Sequence, residues 1–148
     1  MKINLLKSKI HRATVTTANL DYIGSISIDK TLMEAANIYD CEKVHVLNVT
    51  NGQRLITYAI PADKNSGEIC INGAAAHLVS KGDLVIIVAY GSVDENDVQK
   101  YTPRVVHVNE KNELVALRKS KYKILKILKL LDILLKPLQH MILILLIS

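Results

Sequence analysis

Two β-rich runs on either side of the dipeptide Asn51-Gly52 constrain the fold of this chain more than any other feature. The first run covers residues 43–50 and the second covers residues 54–60. Asn and Gly both tolerate a positive φ, which a type I′ turn requires at its two central positions. The sequence therefore predicts an antiparallel hairpin that is closed by a type I′ turn at Asn51-Gly52.

Further short apolar runs, separated by turn residues, extend the strand pattern through the first 117 residues. Residues 84–90 are continuously apolar, which is typical of a strand that is buried on both faces. One short helix is predicted at residues 30–36, capped by Asp29 and ended by Asn37. Short strands at regular spacing indicate a mainly β chain that forms a small closed barrel. The remaining predicted strands cover residues 12–17, 25–28, 68–72, 105–108 and 114–117.

The basic charge of the chain is concentrated in its last part. Residues 1–117 hold 12 Lys and Arg against 13 Asp and Glu, whereas residues 118–148 hold 7 against 1. The first 117 residues are therefore close to neutral, which removes the main argument for nucleic-acid binding. This change in composition predicts a domain boundary at residue 117, followed by a basic, leucine-rich extension over residues 118–148.

The extension has the pattern of a C-terminal amphipathic helix. Most of its lysines fall on about half of a helical wheel, with Leu and Ile on the other half, and Pro137 should end or kink the helix. Its apolar run at residues 141–147 is too short to span a bilayer, which takes about 20 residues. Three interpretations remain open: the helix packs on the barrel or on a neighbouring subunit, it lies on an anionic membrane surface, or it is poorly ordered and idle.

The cysteines and histidines do not form a metal-binding pattern. Cys41 and Cys70 lack CxxC spacing, and the prediction for both is a buried, reduced thiol. His45, His77 and His107 have no ligand spacing and are interpreted as structural or surface residues. Because no apolar signal run follows Met1, the expected location is the cytoplasm.

Common catalytic motifs such as GxSxG, HExxH and the P-loop do not occur in the sequence, so the Gly24-Ser25 step draws attention only through its surroundings. Taken alone, that dipeptide is an ordinary turn. Around it stand five motifs: KIHRA at residues 9–13, NVTNGQR at 48–54, TYAI at 57–60, NGAAAH at 72–77 and GD at 82–83. With these motifs in order, the chain from about Leu5 to Leu117 closely resembles the aspartate 1-decarboxylase family.

The resemblance implies that the folded chain cuts itself between Gly24 and Ser25, which gives chains of residues 1–24 and 25–148. Ser25 would attack the Gly24 carbonyl and become a covalent pyruvoyl group, so that neither pyridoxal phosphate nor a metal is needed. Glycine at position 24 permits the unusual backbone geometry of such an attack. Thr57 corresponds to the hydroxyl that stabilises the oxyanion during cleavage.

The resemblance also implies the reaction, decarboxylation of L-aspartate to β-alanine and CO2 through a Schiff base on the pyruvoyl group, which supplies pantothenate biosynthesis. Ser25 and Tyr58 would be catalytic, with Tyr58 returning the proton to the product carbon. Arg54 would hold a substrate carboxylate through two parallel hydrogen bonds. The implied substrate-binding residues are Lys9, His11, Arg54, Thr57, Asn72, Gly73, Ala74 and Ala75.

The fold that the resemblance implies is a double-psi β-barrel, assembled as a homotetramer with active sites at subunit boundaries. Some members of the family need a maturation factor for cleavage. Two alternatives stay open at this point. One keeps the mechanism with another acidic amino acid such as glutamate, because one methylene often changes binding by only about 1–3 kcal/mol. The other is a β-barrel binding module that does not cleave and uses its basic tail to reach a membrane or a partner.

Overall fold

The computed structural model describes residues 1–118, and the predicted C-terminal helix lies outside these residues. The described part contains nine strands, one α-helix, α1, and two short 3-10 helices at Gly73–Leu78 and Glu95–Asp97. The mainly β class with short helices, as predicted from the sequence, is confirmed. The bounds are β1 Lys2–Thr14, β2 Thr17–Asn19, β3 Ser25–Asp29, α1 Lys30–Ala36, β4 Lys43–Asn48, β5 Arg54–Ala62, β6 Ile69–Asn72, β7 Leu84–Asp94, β8 Arg104–Val108 and β9 Leu114–Arg118.

The strands form one mixed sheet in the order β2-β6-β3-β5-β4-β7-β1-β8-β9. Strand β3 lies between β5, with which it is parallel, and β6, with which it is antiparallel. Strand β1 is antiparallel to β7 and parallel to β8. Non-consecutive strands are thus neighbours through much of the sheet, so β3, β5 and β6 come together although the sequence separates them.

The first strand is longer than the sequence indicates. The predicted strand starts at Arg12, whereas β1 runs from Lys2 to Thr14. Its pairing with β7 shifts register between Ile10 and Ala13, and Arg12 has a φ of 62°. A β-bulge of this kind adds a residue to one strand and breaks the alternation of its side chains. The strand pattern is therefore readable only in part from the sequence around Arg12.

The β4–β5 hairpin is confirmed, but its predicted turn type is wrong. The last registered pair is Leu47 with Arg54, and the Asn48 N–H donates to the Gln53 carbonyl at 2.8 Å. Gly52 has a φ of 79°, while Asn51 does not have a positive φ. The Asn48 side chain accepts hydrogen bonds from the backbone of Thr50 (2.9 Å) and Asn51 (3.3 Å). This local capping favours a longer loop over the two-residue type I′ turn.

Helix α1 has the boundaries that its capping residues predict. Asp29 accepts a 2.7 Å hydrogen bond from the Thr31 N–H, and Asn37 ends the helix in the left-handed conformation with a φ of 56°. The Asp29 carboxylate also accepts from the backbone N–H groups of Asn65 (3.0 Å) and Gly67 (2.8 Å). One buried side chain therefore joins the end of β3 to the loop that leads into β6.

The core is aliphatic, and its largest fully buried side chains are mostly isoleucine and valine. These β-branched residues suit a pleated, packed surface. Leu84 and Ile86 on β7 are only half-buried, so this strand is buried on both faces over part of its length. The fully buried set comprises Ile10, Val15, Ile26, Ile28, Leu32, Val44, Val46, Ile69, Ile71, Val85, Ile87 and Val106.

The two cysteines have different environments. Both are free, and Cys70 is buried as predicted, but Cys41 is exposed, so that prediction is wrong. Cys41 follows α1 in a turn and has a φ of 60°, which places it in the loop before β4 and outside the core. Among residues 1–118, no helix has the length and apolar character to cross a membrane.

Candidate active site

The chain passes from solvent into the sheet at the Gly24-Ser25 step. Tyr22 and Ile23 are 51% and 79% exposed, whereas Ser25, the first residue of β3, is only 1% exposed. Ser25 is held in the sheet by its antiparallel pairing with Asn72 on β6. The bond predicted to be cut therefore joins an exposed segment to a fixed strand.

The side chain of Ser25 lies in a buried polar contact with Asn72. The Asn72 Nδ2 group donates to Ser25 Oγ at 2.9 Å and to Ser27 Oγ at 3.0 Å. The Ser25 hydroxyl donates in turn to the Ile23 carbonyl at 3.3 Å. Since a buried hydroxyl that bonds in this way loses most of its rotational freedom, Oγ is fixed beside the backbone of the Gly24-Ser25 step.

Gly73 brings its backbone directly against Gly24. It has a φ of 64°, and a Cβ at this position would lie 2.7 Å from Gly24 Cα, 2.9 Å from Gly24 N and 3.0 Å from the Tyr22 carbonyl oxygen. No side chain fits at such distances without moving the backbone. Gly73 is therefore packed on the predicted cleavage site, and the sequence alone, which suggests only a tight turn, does not show this contact.

Strand β5 presents predicted site residues on opposite faces. Successive side chains of a strand alternate, so Thr57 shares a face with the buried residues Leu55 and Ala59. Arg54 and Tyr58 lie on the other face, where Arg54 is exposed and Tyr58 is 36% exposed. Thr57 and Tyr58, although adjacent in sequence, are thus directed into different surroundings.

The register between β3 and β5 relates these residues to the Gly24-Ser25 step. Ile26 pairs with Ala59 in parallel. Extending this register by one residue, to the start of β3, sets Tyr58 level with Ser25. Thr57 and Tyr58 therefore lie on the part of β5 that is near the start of β3.

The structure places Lys9 and His11 in another part of the sheet. Both lie on β1, and three strands, β5, β4 and β7, separate β1 from β3 in the sheet order. His11 contacts the His107 ring at a centroid distance of 5.3 Å and lines an open groove of about 710 Å³. That groove is formed by residues of β1, β7, β8 and the turn after β8. Strand pairing within one chain does not bring Lys9 and His11 to the cluster around Ser25.

The remaining predicted residues follow Asn72 in the short 3-10 helix. Gly73 is buried, Ala74 is exposed and Ala75 is partly buried, so their backbone lies at the boundary between the sheet and solvent. Sequence reasoning missed two polar members of the cluster, Ser27 and Cys70. The signal was present in their spacing, because each lies two residues from a predicted site residue on the same strand face.

The Cys70 thiol lies against the Asn72 side chain, with Sγ 3.2 Å from Oδ1. Burial raises the pKa of this thiol above its ordinary value, and the Glu68 carboxylate adds to the shift. The thiol therefore stays protonated and available as a hydrogen-bond donor. Within the described residues, no group of three or more His, Cys, Asp and Glu side chains is arranged to hold a metal ion.

The sequence matches a protein family and several named relatives over nearly all of the described region. The family profile described as aspartate decarboxylase matches residues 1–115. The aspartate 1-decarboxylase of Acetivibrio thermocellus is 55% identical over 118 residues, which are 80% of this chain and 94% of that protein. The aspartate 1-decarboxylase of Clostridium beijerinckii is 56% identical over 114 residues, or 77% of this chain and 92% of that protein.

A third relative and one solved structure extend the comparison. The aspartate 1-decarboxylase of Campylobacter curvus is 56% identical over 115 residues, or 78% of this chain and 98% of that protein. The crystal structure of the rationally designed mkDPBB_sym_86 protein covers 52% of this chain and 90% of its own, with a TM-score of 0.41 and 17% identity. This TM-score is too low to support an argument about the fold. The three sequence relatives, in contrast, are matched over 92% to 98% of their own length.

Proposed function

The chain belongs to the aspartate decarboxylase family, and from this premise we propose that it decarboxylates L-aspartate to β-alanine and CO2 after cutting itself between Gly24 and Ser25. Its mainly β fold agrees with the double-psi β-barrel expected for that family. The observation that carries the proposal is the buried Ser25 hydroxyl at the start of β3, fixed by Asn72 beside a glycine whose backbone packs on Gly73.

The self-cleavage follows from ordinary acyl chemistry at this step. Ser25 Oγ attacks the Gly24 carbonyl carbon; the C–O bond forms, the C–N bond breaks, and the hydroxyl proton ends on the freed nitrogen. Thr57, on β5 near the start of β3, would donate a hydrogen bond to the oxyanion. Loss of the Cα proton of residue 25 then expels the Gly24 carboxylate and leaves dehydroalanine. Addition of one water and release of one ammonia convert it to the pyruvoyl group.

The surroundings of Ser25 suit a covalent ketone at this position. The Asn72 Nδ2 group donates to Ser25 Oγ at 2.9 Å in the uncut chain; because Oγ leaves with the Gly24 carboxylate, this amide would then be available as a donor to the ketone oxygen on Cα of residue 25. The pairing of β3 with β6 holds the new N-terminus in the sheet. The ketone supplies an electrophile for the substrate amine and an acceptor for the electron pair that is released with CO2.

The exposed face of β5 supplies groups for the substrate itself. Arg54 carries a guanidinium that can bind a carboxylate of L-aspartate with two parallel hydrogen bonds. Tyr58, level with Ser25, would return a proton to the carbon that loses CO2. The backbone N–H groups at Gly73, Ala74 and Ala75 and the Asn72 side chain would complete the substrate contacts.

We further propose that the pocket is completed by a neighbouring subunit in a homotetramer. Lys9 and His11 are expected to bind the substrate, yet three strands separate them from β3. At about 4.8 Å per strand, the path along the sheet from β3 to β1 is roughly 19 Å. A second copy that presents its Lys9 and His11 to the exposed face of β5 would supply the positive charge that a dicarboxylate needs.

Intact mass of the purified chain under denaturing conditions tests the self-cleavage, and formation of β-alanine tests the activity. The expected result is two fragments, residues 1–24 and residues 25–148 with a ketone terminus, together with conversion of L-aspartate. Ser25→Ala is the matched control: it removes one oxygen atom and should leave a single, inactive chain. A wild-type chain that stays uncut after long incubation, alone and in a cell extract that could supply a maturation factor, would favour a non-cleaving binding module instead.

Mixed tetramers test the shared pocket. Chains with Ser25→Ala keep Lys9 but carry no ketone, whereas chains with Lys9→Ala cut themselves but lack the lysine. Co-expression of the two should restore part of the activity that each lacks alone, because some pockets combine a ketone from one chain with Lys9 from the other. If no mixture gains activity although mixed tetramers are present, Lys9 acts within its own chain or not at all.

We also propose a cytoplasmic location and a use for the product. β-Alanine made in the cytoplasm would enter pantothenate synthesis.

The choice of L-aspartate over L-glutamate is tested by measuring kcat/KM for both substrates. A higher kcat/KM with L-glutamate would reassign the substrate.

A further inference from the structure

Cys70 and Asn72 form a buried polar row with two serines of the neighbouring strand. They are two residues apart on β6 and therefore share a face, opposite Ser27 and Ser25 of β3. Cys70, Asn72 and Ser25 are 8%, 2% and 1% exposed. Water has little access to this row, so its polar atoms depend on one another for hydrogen bonds.

The orientation of the Asn72 amide decides which kind of bond Ser25 receives. Nδ2 donates to the hydroxyl oxygens of Ser25 and Ser27, while Oδ1 lies 3.2 Å from the Cys70 thiol. Serine hydroxyls can donate or accept, so they would tolerate either end of the amide. The Cys70 thiol gives Oδ1 a donor in the observed orientation. With the amide turned round, Nδ2 would face sulfur, which is a weak acceptor.

We propose that Cys70 is a positioning residue for the self-cleavage, because its thiol holds the Asn72 amide with the NH2 group facing Ser25. In this orientation Ser25 Oγ receives a hydrogen bond and its own proton is directed to the Ile23 carbonyl, 3.3 Å away. A donor at Oγ stabilises the negative charge that this oxygen carries once its proton is removed, which is the form that attacks Gly24. A turned amide would instead accept the Ser25 proton and hold the hydroxyl in its neutral form. The inference rests on the proposed self-cleavage.

The rate at which the newly made precursor disappears, followed by intact mass, tests this role. Cys70→Ser keeps a donor of similar size and should cleave at a rate close to that of the wild type. Cys70→Ala leaves the buried Oδ1 without a donor, and cleavage should slow on the order of tenfold. Cys70→Val, which fills the space of the thiol without supplying a donor, should slow cleavage to a similar extent and guards against a packing defect in the alanine variant.

Two control variants separate positioning from stability. Ile71→Val shortens a core side chain between Cys70 and Asn72 on the same strand, at a residue that is 0% exposed. It should lower the stability of the fold and leave the cleavage rate unchanged. Cys41→Ala alters the exposed cysteine and should change neither. If Ile71→Val slows cleavage as much as Cys70→Ala at equal unfolding midpoints, the effect belongs to strand stability and the proposal is wrong.

Infrared spectroscopy supplies a second readout that does not depend on activity. The chain has only two cysteines, so a Ser25→Ala, Cys41→Ala chain carries a single S–H group, that of Cys70. Its stretching band should lie at the lower frequency of a hydrogen-bonded thiol and move up when Asn72→Leu removes the acceptor. An unmoved band would overturn the proposed contact. A wild-type chain that never cleaves would overturn the proposed function, whereas normal cleavage in both Cys70→Ala and Cys70→Val would overturn this inference alone.

Discussion

The buried polar cluster around Ser25, between β3 and β6, and the exposed part of β5 differ in how complete they are within one chain. Around Ser25, the bonds that the proposed cleavage needs are formed by residues of the same chain, with Asn72 as the central donor. On β5, Arg54 and Tyr58 face outward, and the predicted partners Lys9 and His11 lie three strands away. The comparison suggests that one folded chain can prepare its own cofactor, whereas use of the substrate requires a second copy.

The largest expected effect that separates the two regions is that of Tyr58→Phe. Loss of the phenol proton donor should lower kcat by a factor on the order of 10² to 10⁴. The cleavage into residues 1–24 and 25–148 should proceed as in the wild type, because Ser25 is bonded by Asn72 and the Ile23 carbonyl, and the proposed oxyanion donor Thr57 points to the other side of β5. The measurement is intact mass and β-alanine formation on the same sample. An uncut Tyr58→Phe chain would mean that the two regions are not independent.

The next largest effect is expected from Gly73→Ala, which changes the packing beside Gly24. Gly73→Ala should slow cleavage by tenfold or more, because the new Cβ would lie 2.7 Å from Gly24 Cα. The positive φ adds a backbone strain of about 1–3 kcal/mol. Cleavage is followed by intact mass and stability by urea unfolding.

Two other glycines provide matched controls for this variant. Gly67 has a φ of 66°, and its Cβ would lie 2.6 Å from the Lys111 carbonyl oxygen, so Gly67→Ala combines the same strain with a clash far from Gly24. Gly82 has a φ of 92°, and a Cβ at this position would meet no atom within 4 Å other than those of its chain neighbours, so Gly82→Ala tests strain alone. Equal loss of cleavage in all three variants would show that Gly73 matters only for folding.

A smaller effect should appear at alkaline pH and report on the Cys70 thiol. Burial raises the pKa of Cys70 above its ordinary value of 9.0, and the Glu68 carboxylate adds to the shift. Above that value the unfolded chain loses the thiol proton while the folded chain keeps it, so stability falls as the pH rises. Urea midpoints of Ser25→Ala should fall between pH 8.5 and pH 10.5 by more than those of Ser25→Ala, Cys70→Ser, in which residue 70 does not titrate. Parallel curves would show that the thiol ionises equally in both states.

The smallest expected effect is that of removing residues 119–148. All proposed site residues lie in residues 1–118, and the relatives match over 114 to 118 residues. A chain of residues 1–118 should therefore cleave and turn over like the full chain. Sedimentation of both chains with and without anionic liposomes tests the membrane interpretation of the tail. Equal recovery of both in the supernatant would remove that interpretation, whereas a loss of activity on truncation would place the tail at a pocket.

The sequence predicts the caps of α1 and most strands because their signals are local, whereas β2 and the first ten residues of β1 were not predicted. Asp29 and Asn37 mark the ends of α1, and the β4–β5 hairpin follows from its two flanking runs. The turn type at Asn51-Gly52 could not be predicted, because the Asn48 side chain caps the loop and favours a different length. The bulge at Arg12 likewise depends on pairing with β7, which no local pattern records.

The candidate site was predictable as a set of residues but not as an arrangement. The motifs select Ser25, Asn72 and Tyr58, yet their relation depends on β3 lying between β5 and β6, a long-range pairing. The contact of Gly73 with Gly24 and that of Cys70 with Asn72 arise from this pairing too. The role of a glycine or a cysteine depends on which residues contact it in the fold, and the sequence alone does not show those contacts.

The pairing of Ser25 with Asn72 has a consequence for the working life of the proposed enzyme. A cofactor made from the first residue of β3 is part of the main chain and cannot dissociate, so it needs no supply from the cell. By the same fact it cannot be exchanged once damaged, for example if the keto group leaves the cycle as an amine. Each subunit would then form its cofactor only once, and lost activity could be restored only by synthesis of new protein.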